Sequence, residues 1–267
     1  MREKMTEILK FENISKTFEI RNKGLLGKKR YKKALDQVSF SINEGEIFGL
    51  VGESGSGKST LGKIAMGLFK PSSGKVFYKG KDIWTLAGED YKNYKNEVQM
   101  VFQDPYSSLN PQKTVGWSIM EILNIQKIGK PNERIEKAKN ILREVELEES
   151  LLDQYPSELS GGQRQRISIA SALIVNPKLV IIDEGVSALD VSIQAQVLNL
   201  LNELQKKYNF TSIFISHDLN VIEYLCGRIA VLENGVLQEV FDADEVMSDD
   251  RKDYTKKLFN SVKEKLR

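Results

Sequence analysis

The run Gly52-Glu53-Ser54-Gly55-Ser56-Gly57-Lys58-Ser59-Thr60 fits the pattern G-x-x-x-x-G-K-[ST]. It follows an apolar run, Ile47-Phe48-Gly49-Leu50-Val51, that predicts a buried strand. It opens a helical pattern through Leu61, Ile64 and Ala65. A strand, a glycine-rich turn and a helix in that order make an anion site. Gly52, Gly55 and Gly57 let the backbone wrap tightly, so that successive N–H groups point inward at phosphate oxygens. The helix offers the positive end of its dipole to the same anion. Lys58 is placed to reach the β- and γ-phosphates of a nucleotide, and Ser59 to give a hydroxyl to Mg²⁺. Ser54 and Thr60 belong to the same lining. A glycine-rich turn matching by chance is the competing reading, and it leaves the flanking strand and helix unexplained.

A second element completes such a site. Leu179-Val180-Ile181-Ile182-Asp183-Glu184 is four apolar residues followed by two carboxylates. Four apolar residues predict a central strand, whose end sits beside the phosphate loop in sheets of this kind. Asp183 can then hold Mg²⁺, directly or through water, and Glu184 can polarise an attacking water as general base. Two carboxylates that merely cap a strand are the bland alternative. The two motifs together indicate a P-loop NTPase without saying which kind.

Other apolar runs read as strands: Val98 to Phe102, Ile213 to Ile215, Ile229 to Leu232, and Val236 to Val240. Helical patterns lie between them. Ile135, Ala138, Ile141, Leu142 and Val145 share one face, as do Val197, Leu198, Leu201 and Leu204. Strands alternating with helices imply an α/β fold with a mostly parallel sheet covered on both faces. From about Tyr106 to Pro156 the rhythm breaks into charged helical sequence with no clear strand, which predicts a helical subdomain inserted into the sheet domain.

The chain has 267 residues, 39 Lys plus Arg against 37 Asp plus Glu, and a net charge of +2. That balance supplies no global field for nucleic acid. Arg21 to Lys33 is a local exception with seven basic residues; a solvated loop is the first reading, and contact with anionic lipid head groups the second. Cys226 is the only cysteine, which excludes an internal disulfide and a cysteine-ligated cluster within the chain, and its neighbours predict a small buried core residue. No apolar signal core and no apolar run of the ~20 residues needed to span a bilayer is present, so a cytosolic chain is expected.

Leu159-Ser160-Gly161-Gly162-Gln163 matches, at every position, the LSGGQ signature of ATP-binding cassette (ABC) ATPases. It stands just ahead of a helical pattern, so Ser160 and the N–H groups of Gly161 and Gly162 form a second anion cradle at a helix start; an ordinary Ser cap is the alternative. Further matches follow in family order. Gln103 resembles the Q-loop residue that senses Mg²⁺ and the attacking water. Ser187-Ala188-Leu189-Asp190 resembles the D-loop that crosses the dimer seam. His217, the only histidine, resembles the switch histidine that contacts the γ-phosphate. Phe18 resembles the aromatic that stacks on adenine, although an aromatic in an early strand is commonly core. The resemblance runs from about Leu9 to Val240. Within it, Phe102 to Pro111, Ser187 to Gln196, Gly24 to Gly27 with its basic run, and Asp253-Tyr254-Thr255-Lys256 resemble the oligopeptide, dipeptide and nickel importer group. One departure is Gly185, where the family usually has proline.

The resemblance implies a RecA-like P-loop NTPase core with an N-terminal antiparallel β part. It implies a nucleotide-binding core at 1–105 and 175–240, a helical subdomain carrying the signature at 106–174, and a C-terminal helical extension at 241–267. It implies ATP and Mg²⁺ as cofactors, with Glu184, His217 and Lys58 catalytic. Ser59, Gln103 and Asp183 would hold the metal, and the two cradles and Asp190 the nucleotide. The implied activity is ATP hydrolysis driving uptake of short peptides, nickel or a metallophore. The implied partners are a second, paralogous cassette packed head to tail, two transmembrane permease subunits and an extracytoplasmic solute-binding protein, with no nucleic acid. The implied place is the cytoplasmic face of the membrane. No iron–sulfur site is expected. A soluble ABC ATPase acting on ribosomes or DNA is the alternative.

Overall fold

The computed structural model describes residues 6–20, 29–104, 108–185 and 190–263. Strand β1 (Glu7–Ile20) opens the fold, and β2 (Arg30–Asn43) returns antiparallel to it. Leu9 and Phe11 of β1 point into the core, as do Val38 and Ile42 of β2. Period-two burial should then put Asn13 inside. Instead Asn13 adopts a left-handed φ of 52°, its N–H donates to Ser39 Oγ, and the register shifts so that Ile14 is buried. The bulge expels a polar residue at the cost of one ladder position. Strands β4 (Ser73–Tyr78) and β5 (Lys81–Asp82) extend this sheet in the order β2-β1-β4-β5. This is the antiparallel N-terminal part expected from the sequence.

Residue contacts divide the chain into two compact units, one of residues 1–94 and 213–267, the other of 95–212. In the first, β3 (Ile47–Val51) runs parallel to β9 (Arg228–Glu233), and β10 (Val236–Asp242) pairs antiparallel with β9. Phe48, Leu50 and Val51 are almost wholly buried, as expected for a strand packed on both faces. Helix α1 (Lys58–Ala65) follows β3 across the glycine-rich turn and buries Leu61, Ile64 and Ala65. Helix α2 (Gly88–Glu97) closes against it through Tyr94, whose hydroxyl donates to Ala65 O at 2.6 Å.

In the second unit, β6 (Val98–Val101) runs parallel to β7 (Leu179–Asp183), and every residue of both strands is buried. Between them lie α3 (Val115–Ile125), α4 (Pro131–Glu144) and α5 (Gly161–Leu173), joined by two short 3₁₀ turns. Helix α6 (Val191–Tyr208) follows β7 and ends at Asn209 in the left-handed conformation. That residue reverses the chain into β8 (Thr211–Ile215). Helix α7 (Leu219–Leu225) and the C-terminal helix α8 (Asp253–Lys263) belong to the first unit. No helix among the described residues is long and apolar enough to cross a membrane.

Two expectations need correction. Arg30, Lys32 and Lys33 do not lie in a loop: they sit on β2, opposite Ile20, Phe18 and Thr17 of β1. The strand pairing wins because β1 offers a complete ladder of backbone partners there, and the basic side chains remain in solvent. Lys33 pairs with Asp36 at 2.6 Å, and Lys29 with Glu19 at 3.4 Å. Arg21, Lys23, Lys28 and Gly24 to Gly27 lie outside the described residues. Ile135 shares the face of α4 by spacing but is 41% exposed, while Ala138, Ile141, Leu142 and Val145 are buried. It stands in the second turn of the helix, ahead of the part that meets the core. Cys226 is buried, as its neighbours suggested, and desolvation pushes its thiol pKa up strongly.

Candidate active site

The first unit carries the glycine-rich loop, and its backbone explains the sequence. Gly52 has φ 147° and Gly57 has φ 107°, conformations that L side chains rarely adopt. A Cβ at Gly52 would stand 2.1 Å from Leu232 O, and one at Gly57 2.6 Å from Ala34 O. Both glycines are therefore set by close backbone approach as well as by φ. Gly55 differs, because a Cβ there would meet nothing within 4 Å. The loop is open to solvent at that point.

Gly57 caps α1 without a side-chain hydrogen bond, and no acidic residue stands in the first turn. The helix start thus carries neither a side-chain cap from Gly57 nor a nearby carboxylate, and a helix start of this kind suits an anion. Lys58 is only 5% exposed. Its Nζ donates to Gly52 O at 2.8 Å and to Glu53 O at 2.9 Å, folding the ammonium back over the loop. The Ser56 hydroxyl is buried with no hydrogen-bond partner. An open loop, an uncapped helix start, a cation and a spare hydroxyl fit a polyphosphate. Ser54 is exposed at the rim, and Ser59 and Thr60 are half-buried on the first turn of α1.

His217 follows β8 in the same unit. The Ser216 N–H reaches Leu50 O of β3 at 3.4 Å, which ties the base of the histidine to the strand feeding the loop. Ser216 Oγ accepts from Asp218 N at 2.9 Å, and Asp218 caps α7, leaving the His217 side chain exposed at the turn. Phe18 is half-buried, with its ring edge-on to Phe69 at 5.6 Å and Lys16 Nζ 5.1 Å from its centroid.

In the second unit, Asp183 is the buried last residue of β7, 3% exposed, and Glu184 is the half-buried residue after it. Glu184 has φ 48°, a strained conformation for its side chain. Gln103, two residues beyond β6, donates from Nε2 to Glu184 Oε2 at 2.5 Å. Two parallel strands thus bring together residues 81 positions apart. Gly185 is buried, and a Cβ on it would stand 2.8 Å from Ile182 Cγ2 and 3.1 Å from Gln165 Nε2. The departure to glycine suits a crowded position.

Ser160 caps α5. Its Oγ accepts from Gln163 N at 3.3 Å, while Ser160 N donates to Gln163 Oε1 at 2.9 Å, a reciprocal capping box. The cap reading of this serine is the one the geometry displays, and its hydroxyl hydrogen is not spent on the cap. A Cβ on Gly162 would stand 2.8 Å from Ile193 Cγ2 on α6, so this glycine is also required for packing, while Gly161 stays half-exposed. Asp190 is exposed and caps α6 with no side-chain hydrogen bond. Ser187, Ala188 and Leu189 of the D-loop run, and residues 105–107 after Gln103, lie outside the described residues.

One contributor escaped the sequence. The turn Asn234-Gly235 between β9 and β10 backs the phosphate loop. Gly235 N donates to Ser56 O at 2.9 Å, and Gly235 O accepts from Asp36 N at 2.8 Å. The dipeptide Asn-Gly between two apolar runs is a strong hairpin signal, but nothing in it says what the hairpin leans on.

The family model described as ABC transporter matches residues 35–187. The chain is 46% identical over 256 residues to the oligopeptide transport ATP-binding protein AppF of Bacillus subtilis (strain 168), covering 96% of this chain and 78% of that one. It is 44% identical over 265 residues to the oligopeptide transport ATP-binding protein OppF of Streptococcus mutans serotype c, covering 99% and 84%. Among solved structures it resembles the ATP-binding cassette MJ0796, a dimer in a post-hydrolysis state bound to ADP and Pi. The TM-score is 0.77 at 30% identity, covering 88% of this chain and 99% of that one. With a family model matching more than half of its length and such relatives along nearly all of it, this chain belongs to the ABC transporter family.

Proposed function

We propose that this protein is the ATP-hydrolysing subunit of an ABC importer that takes up short peptides or a related small solute, such as nickel or a metallophore. The hydrogen bond from Gln103 to Glu184 carries the chemical part of this reading. It holds a carboxylate at a strand end in one orientation, as a general base requires. The names of AppF and OppF support the transport part.

When bound, MgATP supplies the γ-phosphoryl group for transfer to water. Lys58 leaves the carbonyls of Gly52 and Glu53 and neutralises phosphate charge. The amides of Gly52 to Thr60 and the start of α1 cradle the phosphates. Ser59, Asp183 and Gln103 are the residues that would hold Mg²⁺, which would neutralise phosphate charge; one carboxylate plus substrate phosphates suits this ion. Among the described residues no three His, Cys, Asp or Glu side chains gather into a separate metal site. Glu184 accepts the proton of the attacking water, with Gln103 fixing its orientation. His217 donates to the γ-phosphate. Phe18 stacks on the adenine, which requires it to turn from Phe69. Ser160, Gly161, Gly162 and Gln163 close on the nucleotide of a partner cassette, and Asp190 lies at the seam.

The core at 1–105 and 175–240 binds nucleotide, the helical segment 106–174 meets two permease subunits, and 241–267 forms the C-terminal extension. The chain works peripherally at the cytoplasmic face, beside a second cassette, with an extracytoplasmic binding protein delivering the solute and no nucleic acid involved. The test is phosphate release by the purified chain with MgATP. Wild type should turn over, and Glu184→Gln should bind ATP without hydrolysing it. Normal hydrolysis by Glu184→Gln would remove Glu184 from the base role.

A further inference from the structure

An aromatic pair stands beside the glycine-rich loop. A Cβ on Gly57 would lie 2.7 Å from Leu35 Cδ2, so β2 packs against the end of the loop there. Leu35 pairs across the ladder with Lys16, and Phe18 lies two residues further along β1. The Phe18 ring is held from two directions. Phe69 meets it edge-on at 5.6 Å, and Lys16 Nζ lies over it, 5.1 Å from its centroid. The same ammonium is 5.9 Å from the Phe69 centroid and donates to Lys70 O at 2.6 Å. One cation thus joins both rings and the backbone next to Phe69.

The Phe69 side of the pair is the anchored one. Its N–H donates to Lys63 O of α1 at 3.2 Å, and Lys63 Nζ lies 5.8 Å from its ring centroid. Three residues on, Ser72 N donates to Ser15 O at 2.8 Å, and Ser72 Oγ accepts from Thr17 N at 3.0 Å. The turn carrying Phe69 is therefore tied to both α1 and β1. Phe18 stands near the end of β1, where Glu19 and Ile20 are exposed. Of the two rings, Phe18 is the one placed to turn.

We propose that Lys16 is a positioning residue for the nucleotide base: it holds Phe18 against Phe69, and ATP binds by drawing the ring away. This rests on the reading of Phe18 as the adenine platform given above. Stacking on adenine gives up the Phe69 edge and the attraction between the ring face and the Lys16 ammonium. That loss is subtracted from the affinity of any ligand that carries a base. A bare polyphosphate needs only the glycine-rich loop and does not incur it. Lys16 thereby sets how much the base adds to the binding of the phosphates.

The experiment titrates ATP and inorganic tripolyphosphate, each with Mg²⁺, into the full chain by calorimetry. Wild type is compared with Lys16→Met, Lys16→Arg, Phe18→Ala and the double variant of Lys16→Met with Phe18→Ala. Lys16→Met keeps the apolar stem and removes the charge. It should tighten ATP binding about twofold to fivefold, the worth of an exposed cation–π contact, and leave tripolyphosphate binding unchanged. Lys16→Arg keeps a cation that can lie over the ring and should match wild type. Phe18→Ala should weaken ATP binding, and adding Lys16→Met to it should then change nothing. Unchanged or weaker ATP binding in Lys16→Met would overturn the inference alone. So would an equal change for tripolyphosphate, because Lys16 would then act on phosphate charge and not through the ring. Wild-type ATP affinity in Phe18→Ala would overturn the adenine platform itself, and this inference with it.

Discussion

At the residue scale, Lys58, Glu184 and Gly52 each make a different kind of demand. Lys58 is buried with its ammonium on two carbonyls. Lys58→Ala would remove the cation proposed to face the phosphates. ATP turnover should fall about 100-fold or more, as for loss of a preorganised electrostatic contact; turnover within about threefold of wild type in a phosphate-release assay would contradict the assignment. Gly52→Ala acts through the backbone instead, because its Cβ would collide with Leu232 O. It should lower stability by about 1–3 kcal/mol and abolish nucleotide binding, read from a denaturant melt and an ATP titration. Cys226 tests the core rather than the site. It is 6% exposed and its thiol is held protonated by burial. Alkylation at neutral pH should label it only after unfolding.

At the element scale, α5 separates two jobs that one serine performs. Ser160 caps the helix through its bond from Gln163 N and is assigned to a partner's phosphates. Ser160→Asp keeps a good N-cap and places a negative charge where an anion would sit. Tm should stay within a degree or two of wild type, since cap quality is retained, while ATP-driven pairing of cassettes is lost. Ser160→Ala should instead cost about 1 kcal/mol of stability through the missing cap. If Ser160→Asp pairs and hydrolyses normally, α5 is only a capped helix. The β9–β10 hairpin braces the glycine-rich loop in turn, because its Gly235 N–H donates to Ser56 O.

At the scale of the whole molecule, we propose that a chain with one glycine-rich phosphate loop and one signature completes its sites only in pairs. MJ0796, at 30% identity, is a dimer. For this chain we propose a paralogue as the partner, on the resemblance of its C-terminal Asp253 to Lys256 run and of Gly24 to Lys33 to one of two paired subunits. A self-pair requires each flanking surface to match itself. The chain alone should therefore be mostly monomeric in gel filtration with MgATP. Reconstitution with two differently tagged cassettes and the permease subunits should raise turnover, and a loaded binding protein should raise it again. Full transport driven by two copies of this chain would refute the heterodimer while leaving the hydrolysis chemistry intact.

The glycine-rich loop, the strand that feeds it, the Asp183-Glu184 strand end and the capped helix after Ser160 could all be read from the sequence. Each is encoded within about ten consecutive residues, where φ preferences, hydrophobic period and capping act locally. The fold class followed because those local elements alternate in only one sensible layering. Tertiary structure alone decided the rest. Gln103 meets Glu184 across 81 positions. Gly52 must be glycine because Leu232 O arrives there, and Gly162 because Ile193 does. Arg30, Lys32 and Lys33 are strand because β1 lies opposite. For Gln103, Gly52 and Gly162 the deciding contact comes from a distant part of the chain, and for Arg30 to Lys33 from the neighbouring strand; in neither case does a run of local preferences contain its energy. Close packing lets a single backbone carbonyl dictate a side chain nearly two hundred residues away.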